Sequence, residues 1–216
     1  MINSGSTPIP QTSCAGGITE DSRGIPATSP TAAIIENPSS GERIVIRETS
    51  EQSGGARLTF ELFLSPHGHV PAGHIHPHQV ETFSVLEGQM RFRRGLRVIH
   101  AGPGQSVTMP QGTFHTFLNP GPQVARVMVQ SCPALRMEEV LRAGAELGRR
   151  QASGIGRGRW VLEGISFLRE YRDEVAAPLL PAWAIRVAAQ LVPASVHLGA
   201  PAPKAPSTAA RADALP

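Results

Sequence analysis

Three histidines and one glutamate stand at spacings that can bring their side chains to one metal ion. His74 and His76 are separated by one residue, so on a strand both point to the same side of the sheet. Glu81 begins the next β-type run, and its carboxylate can return to the same point. His115 follows a Pro-Gln-Gly turn and adds an imidazole from another strand. Three imidazoles and one carboxylate make a mixed nitrogen and oxygen site for one divalent ion.

The residues around these four follow two fixed spacing patterns. The first pattern is G-x5-H-x-H-x4-E-x6-G, and the second is G-x5-P-x-G-x2-H-x3-N. Both resemble the paired motifs of the cupin superfamily, and the 15 residues between them resemble the short spacing of small bacterial single-domain cupins. Every fixed position is met, by Gly68, His74, His76, Glu81, Gly88, Gly104, Pro110, Gly112, His115 and Asn119.

The resemblance covers residues 41–132 and implies an all-β cupin fold, a double-stranded β-helix or jelly-roll barrel with the metal inside. It implies that His74, His76, Glu81 and His115 are the metal ligands. The implied cofactor is one divalent ion, and this donor set suits Fe, Mn, Ni, Co or Zn. No single reaction is implied, because the fold hosts dioxygenases, isomerases, decarboxylases, lyases, cyclases and plain binding proteins.

The elements that must position these residues are short strands. Period-two apolar patterns separated by Gly- and Pro-containing turns recur through the middle of the chain, which is typical of a barrel or a double-sheet jelly roll. The predicted runs are 43–47, 57–64, 81–86, 89–93, 96–100, 105–109, 115–118 and 124–130. Phe83 and Val85 follow Glu81 at intervals of two residues, so they are predicted to point into the barrel as Glu81 does. Phe117 follows His115 by two residues and is predicted to lie on the same face as His115.

The flanking segments differ in composition from the barrel region. Residues 1–40 are rich in Ser, Thr, Gly and Pro and are predicted to form a disordered or irregular arm. Residues 133–198 change to helical periodicity and form a predicted α-helical extension, with apolar stripes over 137–147, over 161–175 and over Trp183 to Leu191. Residues 199–216 form an Ala- and Pro-rich tail. Tyr171, the only tyrosine, is predicted to be a packing residue.

Composition excludes several classes of protein. The formal charge is +3 and Lys204 is the only lysine, so the basic character comes from arginines. The densest basic run, from Arg149 to Arg159, is predicted to be a solvated loop, and the sequence predicts no nucleic-acid binding. No apolar run reaches the ~18–20 residues of a membrane span. Two cysteines without a spacing pattern, and no evident secretory signal, predict a cytoplasmic protein.

Other polar residues near the motifs have two interpretations. His78 keeps the period of His74 and His76 and could face the cavity as an acid–base group, but Pro77 interrupts the strand, so a surface position is favoured. Arg91 and Arg93 share one face; an inward face would bind an anion, and an outward face would be solvated. Because Met90 and Phe92 supply the apolar alternative, the outward orientation is favoured.

Two functions remain open at this point. The first is a metal-dependent enzyme acting on a small organic substrate: dioxygenase-type with iron, and isomerase-, decarboxylase- or cyclase-type with zinc, nickel or manganese. The alternative is a non-catalytic cupin that binds or senses a small molecule. A transcription factor is disfavoured because no reading helix is evident beside the barrel. Since exposed edge strands need covering and cupin barrels often pair through them, a homodimer is expected.

Overall fold

The structure is a computed structural model that describes residues 33–70 and 72–177. Within them the chain forms short strands followed by two helices, as the sequence predicts. The elements are β1 (Ile34–Asn37), β2 (Glu42–Glu48), β3 (Leu58–Leu64), β4 (Val80–Glu87), β5 (Met90–Arg94), β6 (Arg97–Ala101), β7 (Ser106–Met109), β8 (His115–Leu118), β9 (Ala125–Cys132), α1 (Met137–Ala152) and α2 (Arg157–Glu170).

The strands form two antiparallel sheets that share one core. The six-stranded sheet has the order β1-β2-β3-β9-β4-β7, and the three-stranded sheet has the order β6-β5-β8. β9, the last strand, pairs with β3 on one side and with β4 on the other, and so joins the two halves of the larger sheet. Apolar residues of both sheets fill the space between them. This arrangement confirms the predicted all-β jelly roll with a helical C-terminal extension.

Alternation along the strands sets which side chains enter the core. Phe83 on β4 and Phe92 on β5 are fully buried, and their ring centroids lie 5.1 Å apart. Phe117 on β8 lies 5.4 Å from Phe83, so aromatic rings from both sheets meet inside the barrel. Arg91 and Arg93 lie on the opposite face of β5 and are exposed. The predicted inward and outward orientations are therefore confirmed.

β1 differs from the sequence prediction, because it lies inside the segment expected to be an irregular arm. It pairs with β2 from Ile34 opposite Val45 to Asn37 opposite Glu42. The pairing satisfies backbone groups that a short isolated segment could not satisfy alone. Arg149 on α1 also donates a hydrogen bond of 2.9 Å to the carbonyl of Glu36. This strand therefore forms because of its contacts with β2 and α1, and its local composition does not indicate it.

Both predicted helices form, with two differences in α2, the first being that Val161 of the predicted apolar stripe is exposed. α1 carries Glu138 and Glu139 in its first turn and Arg149 and Arg150 in its last turn, which complements the helix dipole. α2 ends at Glu170, so the predicted apolar stripe does not continue as helix to Val175. Neither helix within residues 33–177 has the length and apolar character that a membrane crossing requires.

The arginines from 149 to 159 are mostly exposed, as predicted, but they lie in the two helices and not in a loop. Arg149 and Arg150 belong to α1, and both pair with Glu146. Arg150 and Arg159 also pair with the buried Glu163 of α2, each at 3.1 Å. Arg150 therefore joins α1 to α2, whereas the pairs of Arg149 and Arg159 each lie within one helix. The third predicted stripe (183–191), the tail (199–216) and most of the arm (1–32) lie outside the described residues.

The carboxyl group of Glu42 lies beside β1, at the start of β2. Ser40 Oγ donates a hydrogen bond of 2.6 Å to Glu42 Oε2, and Asn37 Nδ2 donates one of 3.3 Å. Burial raises the pKa of Glu42 from its ordinary value of 4.5 to about 7, although both hydrogen bonds lower it. His69 also lowers this pKa by its charge, and Glu81 raises it. Below about pH 7 the folded protein therefore favours the neutral carboxyl group of Glu42.

We expect the free energy of unfolding of the wild type to fall more between pH 5 and pH 8 than that of Glu42→Gln. The folded state holds the Glu42 proton more tightly than the unfolded state, so its contribution is present below about 4.5 and is lost as the pH rises through about 7. The loss is about 3 kcal/mol at most. Urea unfolding at both pH values measures it, and equal pH slopes for the two proteins would contradict it.

Candidate metal centre

Three separate segments bring the four predicted ligands together at one end of the barrel. His74 and His76 lie in the segment that precedes β4, and Glu81 lies at the start of β4. His115 is the first residue of β8. The backbones of His74 and His115 pair directly, with N–H to carbonyl distances of 3.2 Å and 2.9 Å. This pairing places the histidine segment beside β8.

The ligand atoms of His74, His76, Glu81 and His115 all lie within 4.8 Å of one another. His74 Nε2 and His76 Nε2 are 3.2 Å apart. Glu81 Oε2 lies 3.4 Å from His76 Nε2 and 3.4 Å from His115 Nε2. His74 is half-buried, whereas the other three residues are buried. The structure thus brings together all four residues that the motifs predict.

Backbone carbonyls determine which nitrogen of each ring carries the proton. A carbonyl oxygen only accepts hydrogen bonds, so each Nδ1 that contacts one carries a proton. In the neutral form of each ring Nε2 then has the free lone pair, and the three Nε2 atoms converge beside the carboxylate of Glu81. The contacts are His74 Nδ1 to Ala72 O at 2.9 Å, His76 Nδ1 to Glu174 O at 2.7 Å and His115 Nδ1 to Thr113 O at 3.0 Å.

The donor set fits a divalent transition metal. His115 Nε2 is buried and has no hydrogen-bond partner among the described residues. Buried polar atoms normally have a partner, and an unmet one costs about 1–3 kcal/mol. The close Nε2 atoms of His74 and His76 also present lone pairs to each other, which a shared cation would stabilise. Imidazole nitrogens combined with one carboxylate oxygen suit such an ion.

The charges within the cluster keep Glu81 ionised and His74 neutral, and they favour a proton on His76 that a bound metal ion would replace. Burial raises the pKa of Glu81, but the neighbouring His76 and His115 outweigh it and hold this pKa well below its ordinary value. Burial, together with the charges of His76 and His115, lowers the pKa of His74 to about 3. Although burial lowers the pKa of His76, the charge of Glu81 and its hydrogen bonds raise it overall. At neutral pH Glu81 is therefore an anion and His74 is neutral.

The other histidines of the described residues lie outside the cluster. His78 is exposed on the surface and is not part of the group, so its predicted surface position is confirmed. His69 and His100 are also exposed.

The interior side of the site includes an apolar ring: the ring centroid of Phe83 lies 6.5 Å from that of His115.

Two contacts around the ligands were not predicted. Ser131 Oγ donates a hydrogen bond of 3.2 Å to Glu81 Oε1. Its inward position follows from the alternation of Val127 and Val129 on β9, so the sequence held a signal for it. The carbonyl of Glu174, which accepts the bond from His76, is 98 residues away along the chain. No local pattern in the sequence indicates that contact.

Comparison with known proteins identifies the domain. Residues 61–130 match the family model described as the cupin domain. The two sheets and the four converging side chains agree with that match, and the barrel is a cupin domain. No functionally curated protein matches the sequence.

Solved structures with the same kind of barrel resemble this chain at low sequence identity. A protein from Thermus thermophilus is 24% identical, with 37% of this chain and 75% of that chain covered and a TM-score of 0.36. The polyketide cyclase RemF from Streptomyces resistomycificus is 23% identical, with 47% and 73% covered and a TM-score of 0.40. A predicted oxalate decarboxylase from Thermotoga maritima is 20% identical, with 48% and 92% covered and a TM-score of 0.41.

Proposed function

We propose that the cupin domain binds one divalent transition-metal ion through His74, His76, Glu81 and His115, and that the protein is a metal-dependent enzyme acting on a small organic substrate. One observation carries the proposal: three imidazole lone pairs and one ionised carboxylate converge within 4.8 Å. The backbone carbonyls at the three Nδ1 atoms hold the rings in the orientation that metal ligation needs.

A site with four protein ligands leaves room for a substrate. Metals that prefer five or six ligands keep open positions beside three imidazoles and one carboxylate, and a catalytic site needs such positions. His74 is half-buried, so the approach to the ion lies on its side of the cluster. The aromatic side chains of Phe83, Phe92 and Phe117 pack together inside the barrel, and the Phe83 ring lies 6.5 Å from the His115 ring. These features favour a small substrate that reaches the site from the His74 side.

The identity of the metal decides the class of reaction. Bound iron would supply oxygen activation for ring or C–C bond cleavage, whereas zinc, nickel or manganese would supply polarisation of a carbonyl for isomerisation, decarboxylation or cyclisation. We favour the dioxygenase class. The chain's own contribution is to keep Glu81 ionised, to fix the three imidazole rings and to exclude water from the apolar interior around Phe83.

A non-catalytic cupin that binds or senses a small molecule is the second candidate. The observation that favours it is the location of two described cavities away from the four ligands. A cavity of about 260 Å³ lies between α1 and α2 beside Trp160, and one of about 380 Å³ lies over the outer face of the three-stranded sheet beside Arg91 and Arg93. A ligand in either cavity would not contact the metal centre.

Activity after metal loading separates the two candidates. Protein stripped of metal would be reloaded anaerobically with iron(II) or with zinc(II), and then offered aromatic, thiol and carbonyl compounds. We expect oxygen uptake with iron, or substrate turnover with zinc, that His76→Ala abolishes and His78→Ala preserves. Ligand-induced stabilisation without turnover, equal in wild type and His76→Ala, would instead establish the non-catalytic function.

We also propose that the protein is a cytoplasmic homodimer. β6 is an edge strand of the three-stranded sheet, and its exposed residues Arg97, Val98 and His100 leave this edge accessible. An exposed edge strand can pair with the same strand of a second copy. Light scattering of the purified protein is expected to give the mass of two chains, and the mass of one chain would contradict this assignment.

A further inference from the structure

The six residues that follow α2 return to the barrel and pair with the segment that carries two of the candidate ligands. We call residues 171–176 the return segment. Ala176 N donates a hydrogen bond of 3.0 Å to the carbonyl of Ile75, and Ile75 N donates one of 3.0 Å to the carbonyl of Ala176. Ile75 stands between His74 and His76 in the sequence, so this pairing fixes the backbone that presents both rings.

The same segment contacts one of those rings directly. The carbonyl of Glu174 accepts a hydrogen bond of 2.7 Å from His76 Nδ1. A proton held on Nδ1 leaves Nε2 as the nitrogen that can bind a metal. The acceptors for His74 and His115, in contrast, are carbonyls two residues away from each ring. His76 is thus the one of these three histidines whose tautomer depends on a distant part of the chain.

The return segment is anchored to the start of α1. The ring of Tyr171 is buried and lies 4.9 Å from the guanidinium carbon of Arg136 and 5.2 Å from the ring centroid of Phe167. Glu174 Oε1 accepts a hydrogen bond of 3.4 Å from Arg136 N. Glu174 and Val175 are also buried. The helical extension therefore holds the Glu174 carbonyl in place against His76.

We infer that the return segment is a positioning element of the metal centre, and that docking of the helical extension and metal binding are coupled. The inference rests on the proposed metal site and adds a means of control to it. Coupling between two events is reciprocal, so metal binding stabilises the docked segment by the factor by which docking raises metal affinity. Loss of a partner that orients a ligand typically lowers metal affinity by about 10–100-fold.

Hydrogen exchange on the wild-type full-length protein tests the coupling without any substitution. We expect the peptide that spans residues 171–177 to exchange more slowly when zinc(II) is bound, because the ion stabilises the pairing of Ala176 with Ile75. A peptide from the far end of α1, around residues 144–152, serves as the internal reference. Zinc binding that leaves exchange of residues 171–177 unchanged would overturn the inference.

A matched pair of proline variants tests the positioning role. Ala176→Pro removes the N–H that bonds to Ile75, whereas Ala177→Pro alters the next residue, which lies outside that pairing. We expect Ala176→Pro to lower zinc affinity by about 10–100-fold relative to Ala177→Pro. Nitrogen-15 shifts of the His76 ring in the metal-free proteins should show a proton on Nδ1 in wild type and Ala177→Pro and a tautomer mixture in Ala176→Pro.

The outcomes distinguish this inference from the proposed function. A wild type that binds no zinc or other transition metal would overturn the metal site and the inference together. Equal zinc affinity and the same His76 tautomer in both proline variants would overturn the positioning role alone. If Ala176→Pro does not fold, as circular dichroism would show, the hydrogen-exchange result on the wild type decides.

Discussion

Replacing His115 with alanine is expected to lower the affinity for a divalent transition metal by more than about 100-fold, beyond the typical effect of losing an orienting partner. His115 is the most deeply buried of the four candidate ligands, with 1% of its surface exposed. Its Nε2 lies 3.4 Å from Glu81 Oε2 and has no hydrogen-bond partner among the described residues. Removing the ring takes away one of three imidazole donors and leaves the other ligands in place.

The measurement is a competition titration with a chromophoric zinc chelator, supported by thermal unfolding. At a metal concentration of about 1,000 times the dissociation constant, binding stabilises a protein by about 4 kcal/mol, so His115→Ala should lose a large metal-dependent rise in melting temperature. The matched control is His78→Ala, which removes an exposed imidazole from the ligand-bearing segment. His115→Ala that binds zinc like the wild type, or equal losses in both variants, would contradict the assignment.

Replacing Gly148 with alanine is expected to destabilise the fold by about 3 kcal/mol. A Cβ atom at this position would lie 2.0 Å from Asn37 Oδ1 and 2.8 Å from Ser39 Oγ. Asn37 cannot move away freely, because its Oδ1 accepts hydrogen bonds from Ser39 N and Oγ and its Nδ2 donates to Glu42. The clash would separate α1 from β1.

Gly144, on the same helix, provides the control. A Cβ at Gly144 meets no atom within 4 Å, so Gly144→Ala is expected to stabilise the protein by up to about 1 kcal/mol through helix propensity. Urea unfolding of both variants measures the two effects. Adding Asn37→Ala to Gly148→Ala should recover part of the loss, because the clashing amide is gone. Equal stabilisation by both alanine substitutions would refute the packing argument.

The cluster of candidate ligands was largely predictable because local sequence patterns determine where its side chains point. The i, i+2 spacing of His74 and His76 and the turn before His115 fix directions that strand geometry makes reliable. The inward orientation of Glu81 and Phe83 was also predicted correctly, because apolar residues that alternate with period two indicate which face of a strand is buried. Residues whose position depends on a neighbouring strand or turn were therefore placed correctly.

The unpredicted parts of the fold depend on contacts between distant segments. β1 is four residues long and forms by pairing with β2 beside α1. The polar composition around it predicts an irregular arm, because composition does not report this pairing. Val175 continued a helical stripe in the sequence, yet the chain leaves α2 after Glu170. The buried Glu163 similarly pairs with Arg150, which joins α2 to α1 in a run that the sequence predicts as a loop.

The contact between His76 and Glu174 joins a residue that the sequence predicts to a segment that it does not. Its histidine belongs to a motif that spacing reveals, whereas its carbonyl belongs to a segment that only tertiary packing can place. The helical extension thus contributes to the site through backbone atoms, which carry no signal in residue identity. This is the physical reason why the convergence of the four candidate ligands could be predicted and their full environment could not.

The most direct test of the account is the metal content of the protein, purified without chelator and without nickel affinity resin. Elemental analysis should find close to one transition-metal ion per chain in the wild type and almost none in Glu81→Ala, because that variant lacks the one anionic ligand. The identity of the ion would then select between oxygen-dependent and carbonyl-polarising chemistry. A wild-type protein without bound metal, even after anaerobic reconstitution with iron, zinc, nickel, cobalt and manganese, would contradict the central claim.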